Sequence, residues 1–194
     1  MSGLRIDLPY LLDRTAIQEV QQRYFRGLDR GDRAMVRSCF TADVDVSFHG
    51  LPPVRGVDAL LGTLLAELFH AAQHGIGNVG YHLMGQMDLV RLEGDAATTE
   101  THAISAKVRG ATAGVTSGST VTLRGLRYLD RLVRTPEGWL ISERRHVLDW
   151  MADAPAGFAA ALAQRVHDLP APVPAGADPP SAARSHPDLA PPAS

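Results

Sequence analysis

The sequence predicts an α+β domain in which helices cover one face of a mostly antiparallel sheet. Three observations carry this. Apolar residues near the start recur at helical spacing. From Tyr81 to Trp150 the composition changes to long strand-like stretches. Turn signals divide those stretches at Glu93-Gly94-Asp95, at Gly110 to Gly118 and at Thr135-Pro136-Glu137-Gly138.

The elements follow in order. Thr15-Ala16-Ile17-Gln18 reads as a capping box, and Ile17, Val20, Tyr24 and Leu28 share one helical face until Gly31 offers a stop. A first helix over about 15–30 is expected. Asp32 caps a second, short helix reaching Phe40, and Val44-Asp45-Val46-Ser47-Phe48 alternates as a strand does. Pro52, Pro53 and Gly56 mark a loop. Leu60, Leu61, Leu64, Leu65, Leu68 and Phe69 then predict a third helix from Asp58 to His74. Four long strands joined by hairpins account for Tyr81 to Trp150, and Ala154 to His167 reads as a last short helix. From Leu169 onward Pro, Ala, Ser and Asp dominate, with almost nothing large and apolar to bury, so a disordered tail is expected. The expected boundaries are an N-terminal extension over 1–9, the domain over 10–152, a helical segment over 153–168 and the tail over 169–194.

Composition narrows the function classes. With 194 residues, 45% of them hydrophobic, the chain is long enough for one sizeable core. A net charge of −2 gives no attraction to nucleic acid or acidic membranes. Cys39 is the single cysteine, which excludes an internal disulfide. The start Met1-Ser2-Gly3-Leu4-Arg5-Ile6 lacks a signal-like apolar run, and no stretch approaches the roughly 20 apolar residues of a membrane helix, so a cytoplasmic protein is expected.

Tyr24 and Asp29 in Arg23-Tyr24-Phe25-Arg26-Gly27-Leu28-Asp29, and His82 in Gly80-Tyr81-His82-Leu83-Met84-Gly85, are the residues that suggest chemistry. An imidazole with an ordinary pKa of about 6.5 takes and returns protons at neutral pH, and a carboxylate at its other nitrogen fixes the tautomer. Asp29 lies on the edge of the helical face, where a carboxylate in the last turn opposes the helix dipole by about 0.3–1 kcal/mol. A compensating partner is therefore expected, either His82 or a nearby arginine. His102, on the next predicted strand, is a candidate cross-strand neighbour of His82, and His146 on the final strand is a further candidate. His70 and His74 have the i, i+4 spacing of metal ligands, but no Glu stands between them as in H-E-x-x-H and no third ligand is apparent, so no metal is expected. Gly110 to Gly118 lacks a phosphate-loop lysine and reads as a hairpin end.

Three stretches resemble the SnoaL-like branch of the nuclear transport factor 2 superfamily. They are Asp13-Arg14-Thr15-Ala16-Ile17 leading to Tyr24 through Asp29 with Gly31-Asp32, the strand around His82, and Tyr128-Leu129-Asp130-Arg131-Leu132 with Gly138-Trp139-Leu140-Ile141. The resemblance implies a cone: a strongly curved sheet, mostly antiparallel, packed on three N-terminal helices with a pocket between them. The Tyr-x4-Asp pair and the strand histidine are similar to the sites of bile acid 7α-dehydratase, scytalone dehydratase and hexachlorocyclohexane dehydrochlorinase. Carried over, His82 is the base, Asp29 its carboxylate partner, and Tyr24 the phenol that hydrogen-bonds to or protonates a substrate oxygen, with His102 as a second strand histidine. Phe25, Phe48, Leu65, Phe69, Met84 and Trp150 are expected to form an apolar wall, with Tyr128 and His146 also contacting substrate. The bile acid enzyme has a site arginine on its last strand, where this chain reads His146-Val147-Leu148-Asp149.

The resemblance implies a lyase (dehydratase), isomerase or cyclase that needs no cofactor. Its substrate would be a small hydrophobic, oxygenated ring compound such as a polyketide, terpenoid or steroid. A homodimer or homotrimer is implied in the same way. The alternative within the fold is a non-catalytic binding or structural subunit, like the β subunits of ring-hydroxylating dioxygenases.

Overall fold

The structure, a computed structural model, describes residues 6–66, 69, 79–109 and 120–155. The first helix, α1, spans Leu8–Arg30 and so begins well before Thr15. Asp7 is the true N-cap, its carboxylate accepting from the Tyr10 N–H at 3.1 Å, and Pro9 occupies the first turn, where its missing N–H costs nothing. Thr15 lies inside the helix, its hydroxyl donating back to the Leu11 carbonyl at 2.8 Å. The stop falls where expected. Gly31 adopts φ 67°, a left-handed conformation open to glycine, and the Asp32 N–H reaches the Gly27 carbonyl at 2.8 Å.

Asp32 then caps α2, Arg33–Arg37, by accepting from the Met35 N–H at 2.8 Å. This helix is shorter than expected because Phe40 already opens β1, Phe40–Phe48. A two-residue strand, β2 (Val54–Arg55), precedes α3, Val57–Gly62. The helix expected to reach His74 ends instead at Gly62, with a turn over 63–65; Ala66 and Phe69 are helical, and 67, 68 and 70–74 lie outside the described residues. Four long strands follow: β3 Val79–Glu93, β4 Ala96–Arg109, β5 Thr120–Thr135 and β6 Gly138–Pro155. Because β6 runs to Pro155, pairing with Thr120, residues 153–155 are strand where a helical segment was expected. The rest of that segment and the Pro-rich tail lie outside the described residues.

The helices pack on one six-stranded sheet of order β2-β1-β6-β5-β4-β3. All neighbours are antiparallel except β1 and β6. The sheet is open, with β2 and β3 at its edges. The register slips between Met84 and Met87, between Leu89 and Arg91, between Gly125 and Leu126, and between Arg131 and Leu132. Such bulges bend and twist a sheet locally. α1 packs against β3 and β6, and Ile17, Val20, Tyr24, Phe25 and Leu28 form its buried face. The alternation of β4 defines the inner face, where Ala97, Thr99, Thr101, Ala103 and Ser105 are all buried.

Candidate active site

α1 and β3 bring the acid and the imidazole together. Asp29 Oδ1 lies 2.6 Å from His82 Nδ1, and its Oδ2 accepts from the His82 backbone N–H at 3.1 Å. A carboxylate in such a contact accepts, so Nδ1 carries the hydrogen and Nε2 keeps its lone pair for a proton. The two side chains are 23% and 13% exposed, sheltered from water without being sealed from it.

A series of packed aromatic rings leads away from this pair. The Phe25 ring stacks on His82 at 5.6 Å and meets Tyr128 edge-on at 5.2 Å. Tyr128 meets His146 edge-on at 5.0 Å, and His146 stacks on Phe48 at 4.7 Å. The last contact follows from the parallel pairing of β1 with β6, which sets Phe48 beside His146. Burial, reinforced by the charges of Arg144 and Arg124 and by His82 when it is protonated, lowers the His146 pKa to about 4, so the ring is neutral at pH 7. Its Nδ1 is buried and has no hydrogen-bond partner.

Below the aromatic rings lies a sealed polar cluster. Arg144 is fully buried and donates to Asp130 twice, Nε to Oδ1 and Nη2 to Oδ2, each at 2.7 Å. Gln21 completes it, accepting from Arg144 at 2.6 Å and donating to Asp130 Oδ2 at 2.7 Å. The guanidinium also lies 4.1 Å from the Tyr24 ring centre and 4.7 Å from that of Tyr128. Burial works to lower the Arg144 pKa, but Asp130 outweighs it and holds the group firmly charged.

Comparison with known sequences fits this arrangement. The sequence model of the SnoaL-like domain matches residues 9–145. The chain belongs to the SnoaL-like domain family. A search of the curated proteins returns no match for this SnoaL-like chain. Among solved structures it is similar to hexachlorocyclohexane dehydrochlorinase from Novosphingobium barchaimii, at 17% identity and TM-score 0.61, covering 85% of this chain and 99% of that one. A Novosphingobium aromaticivorans protein provisionally assigned as a scytalone dehydratase is similar at 15% identity and TM-score 0.61, over 81% and 97% of the two chains. A second protein of that organism, described as nuclear transport factor 2-like with a cystatin-like fold, has 26% identity and TM-score 0.56 over 81% and 93%. The first two likenesses are likenesses of fold. The helices packed on one open sheet are consistent with the nuclear transport factor 2-like cone, the description that the third structure carries.

The structure places the expected site residues in three groups. Asp29, His82, Phe25, Tyr128, His146 and Phe48 come together as described. Leu65 and Phe69 are buried in the core and Met84 packs against it. Tyr24 is also core, 1% exposed, ringed by Phe25, Phe40 and Tyr128, and burial raises its phenol pKa so that it stays protonated. His102 and Trp150 are corrections. His82 pairs with Ser105, and His102, of opposite parity to the buried residues of β4, faces outward, where it contacts Glu100 at 3.3 Å. Trp150 shares the even spacing of His146 and Leu148, which suggests one face for all three. Between the pairs Leu126–Leu148 and Gly125–Trp150, however, β6 carries one extra residue, Asp149, and the bulge turns Trp150 outward. There it lies over Gly125, where a Cβ would come within 2.1 Å of the indole Nε1. His102 and Trp150 instead line an open outer groove of about 270 Å³ with Leu83 and Ile104.

Sequence reasoning missed the roles of Gln21 and Arg144. A signal existed for each. Gln21 lies four residues after Ile17 and three before Tyr24, on the buried helical face, and Arg144 shares the parity of His146 with no bulge between them. Among the described residues no group of three or more His, Cys, Asp or Glu side chains is placed to hold a metal ion, and no helix is long and apolar enough to cross a membrane. His70 and His74 lie outside the described residues.

Proposed function

We propose that this SnoaL-like chain is an acid–base lyase (dehydratase), isomerase or cyclase, without a cofactor, acting on a hydrophobic oxygenated ring compound such as a polyketide, terpenoid or steroid. The observation that carries the reading is the two-point contact of Asp29 with His82, which leaves Nε2 as a positioned base beside the Phe25 ring. In an elimination, Nε2 takes a proton from carbon, the C–H electron pair becomes the new double bond, and the hydroxyl on the next carbon leaves as water with a proton from a donor. The imidazolium is stabilised by Asp29 until its proton passes, by way of solvent, to the deprotonated donor, which restores both groups. In an isomerisation the same proton goes back at another carbon. Tyr24 enters this reading as the donor only through the family resemblance, since its ring lies in the core, and Phe48 supplies apolar contact beside the buried rings of Phe25 and Tyr128.

Dehydratase and dehydrochlorinase relatives of this fold support the reading, since both names describe eliminations. Self-association through the outer sheet face, where Tyr81, Leu83, Ile104 and Trp150 are exposed, belongs to the same reading and is checked by light scattering. The activity test uses a panel of enolisable and β-hydroxylated ring ketones in D₂O, following deuterium uptake by mass spectrometry and the new double bond by ultraviolet absorbance. Asp29→Asn and His82→Ala are expected to slow the reaction by about 10²-fold or more. Turnover unchanged in both variants refutes the dyad.

A further inference from the structure

We infer that His146 is the group that recognises the substrate's oxygen, a hydroxyl or carbonyl without charge, through its buried Nδ1. The inference rests on the reading of the inner face as a substrate site and assigns that site a polar contact point distinct from the base. Buried polar side-chain atoms are nearly always hydrogen-bonded, and one that is not calls for an explanation. His146 Nδ1 is such an atom. Its ring is clamped between Phe48 at 4.7 Å and the edge of Tyr128 at 5.0 Å, so it cannot readily turn away to find a partner. A ligand oxygen would supply the missing bond. A planar hydrophobic ring would have the partly buried Phe48 to lie against, and the buried rings of Tyr128 and Phe25 link that point to His82.

The charge state fixes the chemistry of the oxygen. Arg144 on β6, His82 on β3 and Arg124 on β5 are the charged or titratable groups that act on His146, and all three oppose its protonation. A neutral imidazole offers one donor and one acceptor, which suits a hydroxyl or a carbonyl. Arg144 is a poor carboxylate anchor: its charge is already matched by Asp130, its Nε and Nη2 are held by Asp130 and Gln21, and its remaining nitrogen, Nη1, also without a partner, belongs to a side chain that is 0% exposed. The contact point is therefore matched to an uncharged ring alcohol or ketone.

The probes are 2-naphthol and 2-methylnaphthalene, equal in shape and differing in hydroxyl against methyl. Both are titrated by fluorescence against the full chain at pH 7.5. The wild type is expected to bind 2-naphthol about tenfold more tightly than 2-methylnaphthalene, the worth of one desolvated hydrogen bond. His146→Phe should bring that ratio close to one while keeping affinity for 2-methylnaphthalene, and His146→Gln, which retains a donor and an acceptor, should keep most of the preference. Retained affinity for the methyl probe shows that each variant is folded. A wild type with no preference for 2-naphthol, or one that binds neither probe, overturns the inference. So does a preference that survives in His146→Phe. None of these readings depends on turnover, so the inference can fail while the dyad stands, and the dyad can fail while the binding preference stands.

Discussion

Removing the Asp130 carboxylate should destabilise the fold through a charge left without its counter-ion. In Asp130→Ala, Arg144 loses both 2.7 Å bonds and retains one, to Gln21 at 2.6 Å, on a side chain that is 0% exposed. At an effective dielectric of about 20 and a charge separation of about 4 Å, the lost attraction is about 4 kcal/mol. That agrees with the roughly 3–5 kcal/mol seen when one partner of a buried pair is deleted. The Tyr24 and Tyr128 ring faces, 4.1 and 4.7 Å from the guanidinium, remain and favour the lower end of that range. For a domain of this size each kcal/mol moves the melting temperature by about 2–4 °C, so a fall of about 6–20 °C is expected. Thermal and urea denaturation followed by circular dichroism would measure it. The triple variant Gln21→Leu, Asp130→Leu, Arg144→Met, which removes the polar cluster together, should recover most of the loss. A melting temperature for Asp130→Ala within about 2 °C of the wild type would refute the argument from desolvation. A triple variant as unstable as the single one would show that shape, not charge, is what the cluster supplies.

Two further predictions concern neighbouring groups. Because the His146 pKa is lowered to about 4 in the folded chain, the unfolded chain binds the extra proton between about 6.5 and about 4. Stability from this group is therefore full above pH 6.5 and is lost as pH falls toward 4. The urea midpoint of His146→Gln should show a shallower fall than that of the wild type over that range, and parallel curves would contradict the assignment. Gly27 allows α1 to approach α2 closely, since a Cβ there would lie 2.7 Å from Val36 Cγ2 and 3.0 Å from the Val36 backbone nitrogen. Gly27→Ala should cost about 1–3 kcal/mol from overpacking, less up to about 1 kcal/mol returned by helix propensity, and a rise in melting temperature would be the wrong sign.

The order of elements was legible because the signals were local. Gly31 after Leu28, Gly94 between two strand-like stretches and Gly138 after Pro136 each mark a boundary by the conformation they permit, with φ of 67°, 56° and 110°. The start of α1 was misplaced because Thr15 has the side chain of a cap, whereas Asp7 with Pro9 supplies the cap itself. The Asp29–His82 contact could be anticipated because a carboxylate in a last helical turn needs a partner. Which other residues join it depends on sheet register, a non-local quantity. His102 was misjudged by parity relative to Ser105, and Trp150 by one bulged residue at Asp149. A run of alternating residues fixes the relation between neighbours on one strand but not the phase of one strand against the next.

The same contact that orients the His82 ring also fixes that phase. Asp29 reaches both the backbone N–H and the ring nitrogen of one residue, and both can be satisfied only when His82 itself stands opposite the end of α1. Sliding β3 by one residue would present Tyr81 or Leu83, whose side chains offer a carboxylate no comparable imidazole contact, and would turn their exposed apolar groups inward. The edge strand is thereby held by a polar contact at the position where the proposed chemistry requires accuracy. The two functions separate by substitution. Asp29→Asn keeps one oxygen to accept from the backbone N–H, so the strand anchor persists while the charge that orients and stabilises the imidazole is gone. Asp29→Ala removes both. Protection of the His82 amide from hydrogen exchange should therefore survive in the first variant and fall in the second, while the proton abstraction proposed for His82 should fall in both.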